Sequence, residues 1–259
     1  MTDLHYLYDD NIGKVELVQH MGEDITVVNS ARVSFGVEKS VLDDKDKKLI
    51  NYLIKHRHTS TLEHNIATFR IKVPLFVRSQ HHRHRTWSYN EISRRYTDSN
   101  LEFYLPKTFR TQHSSNRQAS NLDESINPLI TQNDSSISVL CNEALHRHVK
   151  SSLTLFDEMI EKGVAKEQAR MILPQNLYTE YYATANLNNI LKFIDLRTHE
   201  GAQWEIQKLA ESMLEIIKDW PFDAIINHNR FTLLNRNADE LFNYAYSKNI
   251  SIINAAPYA

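Results

Sequence analysis

The scarcity of glycine is the feature that most constrains this chain. Its 259 residues include only five glycines, at positions 13, 22, 36, 163 and 201. A Walker loop or a GxGxxG dinucleotide fingerprint needs several glycines within a few residues, where the backbone wraps around phosphates. The spacing of these five excludes both loops. If the chain binds nucleotide phosphates, its side chains must do so.

One stretch, residues 80–96, is rich in side chains suited to that task. It has the sequence QHHRHRTWSYNEISRRY, with an unbroken run of histidine and arginine at 81–85 and two further arginines at 94 and 95. Guanidinium and imidazole groups have fixed geometry, and guanidinium binds phosphate or carboxylate through paired hydrogen bonds. A solvated charged surface would instead be built from Lys and Glu. The stretch predicts a site for a small, phosphate-bearing molecule.

The overall composition favours a small-molecule site over a nucleic-acid surface. The formal net charge is −2 at pH 7, whereas general nucleic-acid binding needs a basic domain or a large basic face. The hydrophobic share of 41% is ordinary for a globular protein, and no apolar run approaches the roughly 20 residues that span a bilayer. The acidic N-terminus lacks the apolar segment of a signal peptide. We therefore expect a cytoplasmic protein with no membrane segment and no nucleic-acid partner.

Periodicity predicts one α+β domain that spans residues 1–259 and has no internal repeat. Alternating residues predict strands at 14–20 and 65–73, and a short strand is predicted at 101–106. Little apolar periodicity occurs between 107 and 136, which predicts a long surface loop. We expect a small antiparallel sheet followed by a long helical part. The predicted helices are a short one within 24–33 capped by Asn29 and Ser30, then 43–56, 74–85, 137–162, one from 166, 186–197 and 202–218, with helical pieces in 221–228 and 238–249 before a tail at 251–259.

Several polar residues allow two interpretations from the sequence alone. Ser60 and Glu63 have the spacing of a helix capping box. Ser34, in the segment ARVSFG, is either a loop serine or a ligand of a phosphate or ring. The single cysteine, Cys141, lies among apolar residues and is expected to be a small buried side chain. With one cysteine, neither a disulfide nor a cysteine-based zinc site can form.

Two functions of other classes remain open at this point. Three histidines within residues 56–64 invite a metal-dependent hydrolase, but their spacing is irregular and no clustered aspartate completes a ligand set, so we expect no metal. Aromatic residues Trp87, Tyr89 and Tyr96 beside the basic run suggest a module that stacks single-stranded nucleic acid. Metal analysis and salt-dependent strand binding would distinguish these functions from a small-molecule site.

The sequence RHRTWSYNEISRRY at 83–96 resembles the defining motif of the flavin-dependent thymidylate synthases, which is Arg-His-Arg, seven residues, then Ser. Four further segments are similar to that family and occur in its order. The resemblance covers about residues 14–218, and residues 219–259 are unmatched. The four segments are ARVSFG at 31–36, H-x-[ST]-x-x-E-H at 58–64, AR-x-x-LP-x-N-x-YT at 169–179 and LR…AQWEIQ at 196–207.

The resemblance implies an enzyme that converts dUMP to dTMP, with methylenetetrahydrofolate as carbon donor and NADPH-reduced FAD as hydride source. Uracil C5 is a poor nucleophile, and the other class of thymidylate synthase activates it by adding a cysteine to C6. Cys141 has no arginine or histidine partner in the sequence. The ring must therefore be activated otherwise, by positive charge at its edge as N3 loses its proton. The resemblance also implies a homotetramer with sites formed between subunits.

The resemblance assigns a role to individual residues of this chain. Arg197 is the catalytic residue at the pyrimidine edge. Ser93 is expected to bind the nucleotide rather than attack it, since no base that would activate it is evident. The residues expected to bind the cofactor are Ser34, His58, Ser60, Glu63, Arg83, His84, Arg85, Asn90, Glu91, Asn186, Asn188 and Lys192. The residues expected to bind dUMP are Gln80, Arg83, Glu91, Ser93, Arg94, Arg95, Arg170 and Arg197.

Three positions depart from the family pattern. Thr61 stands where proline is frequent, which predicts a less rigid loop around Ser60. Arg94 stands where a small residue is expected, so it either adds a charge contact or crowds the substrate. Asn188 stands where arginine is frequent, which removes a phosphate contact that Lys192 is placed to restore.

Overall fold

A computed structural model describes residues 4–131, 137–218, 224–227 and 251–254. Its main sheet has five strands in the order β1-β2-β3-β9-β4, and every neighbouring pair is antiparallel. The α+β class with an antiparallel sheet is therefore confirmed. The strands of this sheet are β1 (Leu4–Tyr6), β2 (Lys14–Met21), β3 (Ile66–Pro74), β4 (Ser88–Glu91) and β9 (Tyr178–Asn186).

The central pair of strands, β3 and β9, is the framework on which the rest is built. They pair along their whole length, from Ile66 opposite Asn186 to Pro74 opposite Tyr178. Alternate residues of both strands are buried on the face toward the core, whereas Arg70 on β3 and its partner Tyr182 on β9 are exposed on the other face. The predicted strands at 14–20 and 65–73 are confirmed as β2 and β3. Periodicity does not predict β9, although its aromatic and β-branched residues are typical of strands.

The helices lie mostly where amphipathic periodicity places them. The predictions at 43–56, 186–197 and 202–218 are confirmed to within two residues. The cap predicted at Asn29 and Ser30 is wrong: Glu23 caps the first helix, so both residues lie inside it. The helices are α1 (Asp24–Arg32), α2 (Asp44–Lys55), α3 (Leu75–His81), α4 (Cys141–Glu161), α5 (Lys166–Ala169), α6 (Leu187–Arg197) and α7 (Trp204–Lys218).

The predicted long loop at 107–136 is wrong for the residues that the structure describes. Polar strands that lie over the surface lack the apolar alternation by which a half-buried strand is recognised. These strands form two hairpins: β5 (Phe109–Gln112) pairs with β6 (Ser120–Ile126), and β7 (Leu129–Thr131) with β8 (Ser138–Leu140).

Two neighbouring predictions also need correction. The strand predicted at 101–106 is a single bridge between Phe103 and Leu177. The helix predicted from 137 begins at Cys141, because β8 occupies the preceding residues. Cys141 is half-buried at the start of this helix, rather than fully buried as expected.

Apolar side chains form two cores. The larger core lies between the main sheet and helices α1, α2, α3, α6 and α7. Helix α7 contributes the apolar face that the sequence predicts, including Ile206, Leu209 and Met213. A smaller core joins α4 to the segment that precedes β9, with Phe156 and Leu177 at its centre. The first core supports the predicted site, because it lies directly under α3 and α6.

The C-terminal residues that the structure describes are two short strands. Residues Ala224–Asn227 (β10) pair in parallel with Ser251–Asn254 (β11). The helical prediction for 221–228 and the tail prediction for 251–259 are therefore wrong at these positions, and the helical piece predicted at 238–249 lies outside the described residues. Within the described ranges, no helix combines the length and apolar character needed to cross a membrane.

Candidate active site

Two strand–helix units bring the predicted catalytic arginine to the basic stretch. Strand β3 leads into α3, and β9 leads into α6. Because β3 and β9 are antiparallel, the two helices begin at opposite ends of the pair, and their C-terminal ends meet. Arg197, the last residue of α6, donates from Nε to Nε2 of His84 at 3.2 Å and from one Nη to the carbonyl of Gln80 at 3.3 Å. Three predicted site residues thus converge in one chain.

His84 is an uncharged member of this group at neutral pH. Burial of the ring, together with the adjacent Arg197 guanidinium, lowers the pKa of His84 to about 4. Since Arg197 donates to Nε2, the neutral ring carries its proton on Nδ1. Burial also lowers the pKa of Arg197, but a guanidinium keeps its charge. The pair therefore presents one positive charge and one neutral ring.

An aromatic layer holds the backbone of this group in place. His81 is fully buried, and its Nδ1 lies 2.9 Å from the hydroxyl of Tyr181. The Tyr89 hydroxyl lies 2.9 Å from the carbonyl of His81 and 3.0 Å from that of His84. The ring of Phe193 lies 4.6 Å from His81 and 4.9 Å from His84, between ring centroids. These contacts set the position of the His84 main chain.

The aromatic layer also weighs against the nucleic-acid alternative. Trp87 is only 6% exposed, and the Tyr89 hydroxyl is committed to main-chain carbonyls. Single-strand binding by stacking needs exposed aromatic faces along a groove. Tyr96 is exposed, but its neighbours in that hypothesis belong to the core.

The buried histidines predict a loss of stability in mild acid. Burial lowers the pKa of His81 well below its usual value of 6.5 and that of His84 to about 4. Between these values the unfolded chain binds more protons than the folded one, so the free energy of unfolding decreases as pH falls from about 6.5 toward 4. We expect calorimetry to give a lower melting temperature at pH 5 than at pH 7.5. His84→Gln is expected to reduce the slope, and identical slopes in both proteins would contradict the assignment.

A second group of predicted residues lies around Glu167. The Ser93 hydroxyl accepts from the main-chain N–H of Arg95 at 3.3 Å. The Arg95 guanidinium lies 3.7 Å from the Glu167 carboxylate, and Arg170 donates to the Glu167 carbonyl at 3.3 Å. Both guanidiniums are exposed and contact the same residue, Glu167, and guanidinium groups suit an anionic ligand. Arg94 is turned elsewhere: one Nη donates to the Ser99 carbonyl at 3.0 Å.

The two predicted site residues on β4 differ in exposure and in their contacts with the rest of the protein. Asn90 is exposed. The Glu91 carboxylate accepts from the Thr179 hydroxyl at 2.7 Å and lies 3.3 Å from Nε of Arg78. Glu91 is therefore anchored to the sheet.

A third group surrounds the N-terminus of α6. Asn186 caps this helix by accepting from the N–H of Asn189 at 3.0 Å. Buried Asn188 donates to the Glu63 carboxylate at 3.0 Å. The capping box considered for Ser60 and Glu63 is not formed, because this carboxylate is bound to Asn188 and the short 3-10 helix at 59–62 has no side-chain cap.

The loop beside this third group is held by Thr61, at the position where the resemblance led us to expect proline. Thr61 is buried and donates to the His58 carbonyl at 2.9 Å, which restrains the loop around Ser60. His58 and Ser60 themselves are exposed. Ser34 is also exposed, and its hydroxyl donates to the Ala31 carbonyl at 3.2 Å. No contact in the described residues joins Ser34 to the other predicted ligands.

The residues around His84 fit an anionic, nucleotide-bearing cofactor. Arg83 and Arg85 flank His84 and are exposed, and Lys192 is exposed on α6. Nε2 of His82 is buried and has no hydrogen-bond partner among the described residues. This donor-rich set suits the phosphates and carbonyls of a flavin nucleotide. In the part of the chain that the structure describes, no group of three His, Cys, Asp or Glu residues is placed to hold a metal ion.

Sequence reasoning missed several residues that support the site. Tyr89 and Tyr181 hold the histidine main chain and ring, and Glu167 contacts both Arg95 and Arg170. Gln203 and Glu205 connect to Gln80 by hydrogen bonds. The last two lie in the AQWEIQ segment, so the motif marks them, but their partners are distant in sequence.

Comparisons with known proteins identify what this chain resembles. Residues 16–221 match the family described as "Thymidylate synthase complementing protein". A flavin-dependent thymidylate synthase of Thermus thermophilus is 42% identical over 210 residues, which are 80% of this chain and 72% of that protein. One of Thermotoga neapolitana is 38% identical over 219 residues, 83% of this chain and 92% of that protein. The crystal structure of a UMP/dUMP methylase, PolB from Streptomyces cacaoi, bound with 5-Br dUMP, has a TM-score of 0.66 and 30% identity, covering 80% of this chain and 90% of that one.

Proposed function

The chain belongs to the family of flavin-dependent thymidylate synthases, and from that premise we propose that it is an FAD enzyme that methylates dUMP to dTMP, with methylenetetrahydrofolate as carbon donor and NADPH as reductant. The observation that carries the proposal is the meeting of Arg197, His84 and Gln80 at the ends of α3 and α6. A half-buried guanidinium beside a neutral ring is suited to a substrate whose ring develops negative charge.

Activation of the uracil ring is assigned to Arg197. Cys141 lies at the start of α4, which contributes none of the three residue groups described above, so no cysteine nucleophile is placed for attack on C6. Charge on the pyrimidine grows as N3 loses its proton, and Arg197 stabilises it. His84 and the Gln80 carbonyl hold the guanidinium in place by accepting from it. When bound, FAD supplies the hydride that completes the methyl group.

The other groups are assigned by the chemistry of their side chains. Ser93, Arg95 and Arg170 are proposed to bind the phosphate of dUMP, with Ser93 as a hydroxyl ligand rather than a nucleophile. No base contacts Ser93 in the described structure; its oxygen accepts from a main-chain N–H. Arg83 and Arg85 are proposed to bind FAD, with Lys192 toward its phosphates. Arg94, already bonded to Ser99, is expected to stabilise its own loop rather than contact substrate.

A homotetramer with shared sites is part of the proposal. Asn186 and Arg197 lie at opposite ends of α6, whose 11 residues separate them by about 16 Å. The three groups of predicted ligands therefore open at different places on one chain. Light scattering during size-exclusion chromatography is expected to give a mass four times that of the chain. A monomer that methylates dUMP at full rate would contradict shared sites.

The proposal is tested first by the visible spectrum of the purified protein. We expect flavin absorbance, or its appearance on addition of FAD, and release of FAD on denaturation. The loaded protein is expected to form dTMP from dUMP, methylenetetrahydrofolate and NADPH. UMP is assayed alongside, because the Streptomyces protein is named as a methylase of UMP and dUMP. Failure to bind FAD together with failure to form dTMP would overturn the proposal.

A further inference from the structure

We propose that Glu205, held by Arg110 of the β5–β6 hairpin, is a positioning residue that fixes the orientation of the Gln80 side chain through Gln203. This inference rests on the proposed place of Gln80 in the dUMP site. It assigns a role to a hairpin that lies outside the family motifs and to a carboxylate that touches none of the predicted ligands directly.

The three side chains and Arg110 form one continuous hydrogen-bonded chain. Nε2 of Gln80 donates to Oε1 of Gln203. Nε2 of Gln203 donates to Oε2 of Glu205 at 2.9 Å, and Arg110 donates to Oε1 of Glu205 at 2.7 Å. Glu205 is only 4% exposed, so its charge needs a partner, which Arg110 supplies.

Arg110 is itself restrained by the hairpin that carries it. Its Nε donates to the Ser120 hydroxyl on β6 at 2.9 Å. Its guanidinium lies 5.2 Å over the ring of Trp204, at cation–π distance. The Tyr104 hydroxyl adds a third contact to the Glu205 carboxylate at 3.4 Å. Arg110 therefore holds Glu205 in one place.

The charge of Glu205 sets the polarity of both amides. A carboxylate only accepts hydrogen bonds, so Gln203 must turn its NH₂ toward Glu205 and its oxygen toward Gln80. Gln80 must then turn its own NH₂ toward Gln203. An amide that lacks such a constraint can rotate by half a turn and exchange oxygen for nitrogen at little cost. The hydrogen-bonded chain removes this rotational freedom first from Gln203 and then from Gln80.

The consequence is that Gln80 presents a hydrogen-bond acceptor to its ligand. One N–H of its Nε2 is used by Gln203 and its main-chain carbonyl by Arg197, which leaves Oε1 as the free acceptor of the side chain. In dUMP, the donors that such an oxygen recognises are the N3–H of uracil and the hydroxyl of the deoxyribose. A flipped Gln80 would present an NH₂ group to these donors and repel them.

The test uses the FAD-loaded protein and measures the Kd of dUMP by calorimetry. Glu205→Gln keeps the shape of the side chain, but Arg110 only donates and therefore holds the new amide by its oxygen. The NH₂ group then faces Gln203 and reverses the polarity of both amides. We expect the Kd to rise roughly tenfold, as for one lost ligand hydrogen bond. Gln80→Met is expected to raise the Kd similarly. In the Gln80→Met background, Glu205→Gln is expected to add no further change, because Glu205 acts through Gln80.

Two further variants separate positioning from general damage. Arg110→Met removes the cation that holds Glu205, so the carboxylate is free to move away from Gln203. This variant is also expected to raise the Kd, again with no added effect in Gln80→Met. Asp46→Asn removes another buried carboxylate, paired with Arg32 and Lys39, and is expected to lower the melting temperature without changing the Kd.

Clear outcomes overturn the inference. An unchanged Kd in Glu205→Gln, or an effect that multiplies with that of Gln80→Met, excludes positioning through Gln80. Failure of the proposed function is distinguishable, because the unsubstituted protein would then not bind or convert dUMP. If the wild-type protein binds dUMP and the Glu205→Gln variant binds it equally well, only the positioning role is refuted.

Discussion

Arg197→Ala is expected to lower the rate of dTMP formation by about 10²–10³-fold while FAD stays bound. The loss is large because a preorganised charge aimed at the developing negative ring has no substitute once it is removed. In the described structure, Arg197 is also the donor to Nε2 of His84 and to the carbonyl of Gln80. Without this guanidinium, Nε2 of His84 and the Gln80 carbonyl would accept hydrogen bonds from water instead. The measurement is single-turnover formation of dTMP, with flavin content read from the visible spectrum.

Arg197→Lys and Arg70→Ala are the matched controls for this result. Lysine restores a positive charge but cannot serve two acceptors with a planar fork, so an intermediate rate is expected. Arg70 is an exposed arginine on β3 that pairs with Glu180, and its replacement is expected to leave the rate unchanged. If Arg197→Ala formed dTMP at the normal rate, the catalytic role of this residue would be wrong. Loss of FAD in the same variant would instead indicate a binding role.

Phe193→Ala is expected to destabilise the protein by about 3–5 kcal/mol. Phe193 has no exposed surface, and its ring packs against His81, His84 and Trp87 at centroid distances of 4.6, 4.9 and 5.8 Å. Its removal leaves a cavity directly beneath the predicted active site. The melting temperature is expected to fall by roughly 10 °C or more. Turnover measured well below that temperature is also expected to fall, because His84 loses the wall against which it packs.

The control variant Phe156→Ala distinguishes a general loss of stability from a specific effect of Phe193 on the position of His84. Phe156 is as buried as Phe193 but lies in the smaller core, on α4. It is expected to lose a similar free energy of unfolding, about 3–5 kcal/mol, without a change in turnover at low temperature. Equal losses of turnover in the two variants would show that the layer under His84 has no particular effect on the site. Phe193→Leu, which retains most of the volume, is expected to lie between wild type and Phe193→Ala.

Local sequence patterns predict the parts of this fold whose causes are local. The amphipathic faces of α2, α6 and α7 and the alternation in β2 are visible in short windows, because each element buries one side. The hairpins within 107–140 are not visible, since their strands are polar and exposed, and none of the family motifs lies within them. Strand β9 was hidden for another reason: its burial alternates, but the buried face includes Thr179 and the opposite face includes Tyr182, so apolar and polar residues do not alternate regularly.

Sequence by itself determined which chemistry is present. The absence of glycine-rich loops means that any phosphate must be bound by side chains, and the run at 80–96 contains arginines and histidines suited to that role. Only the tertiary structure decided which of these groups meet. Arg197 and His84 are 113 positions apart, and Gln80 and Gln203 are 123 apart. Such pairs depend on antiparallel β3 and β9 sending two helices toward each other, and no short window of sequence contains that geometry. Glu205 is likewise distant from Gln80 in sequence. In our proposal this carboxylate of α7 sets the orientation of an amide in α3, because Gln203 connects the two side chains.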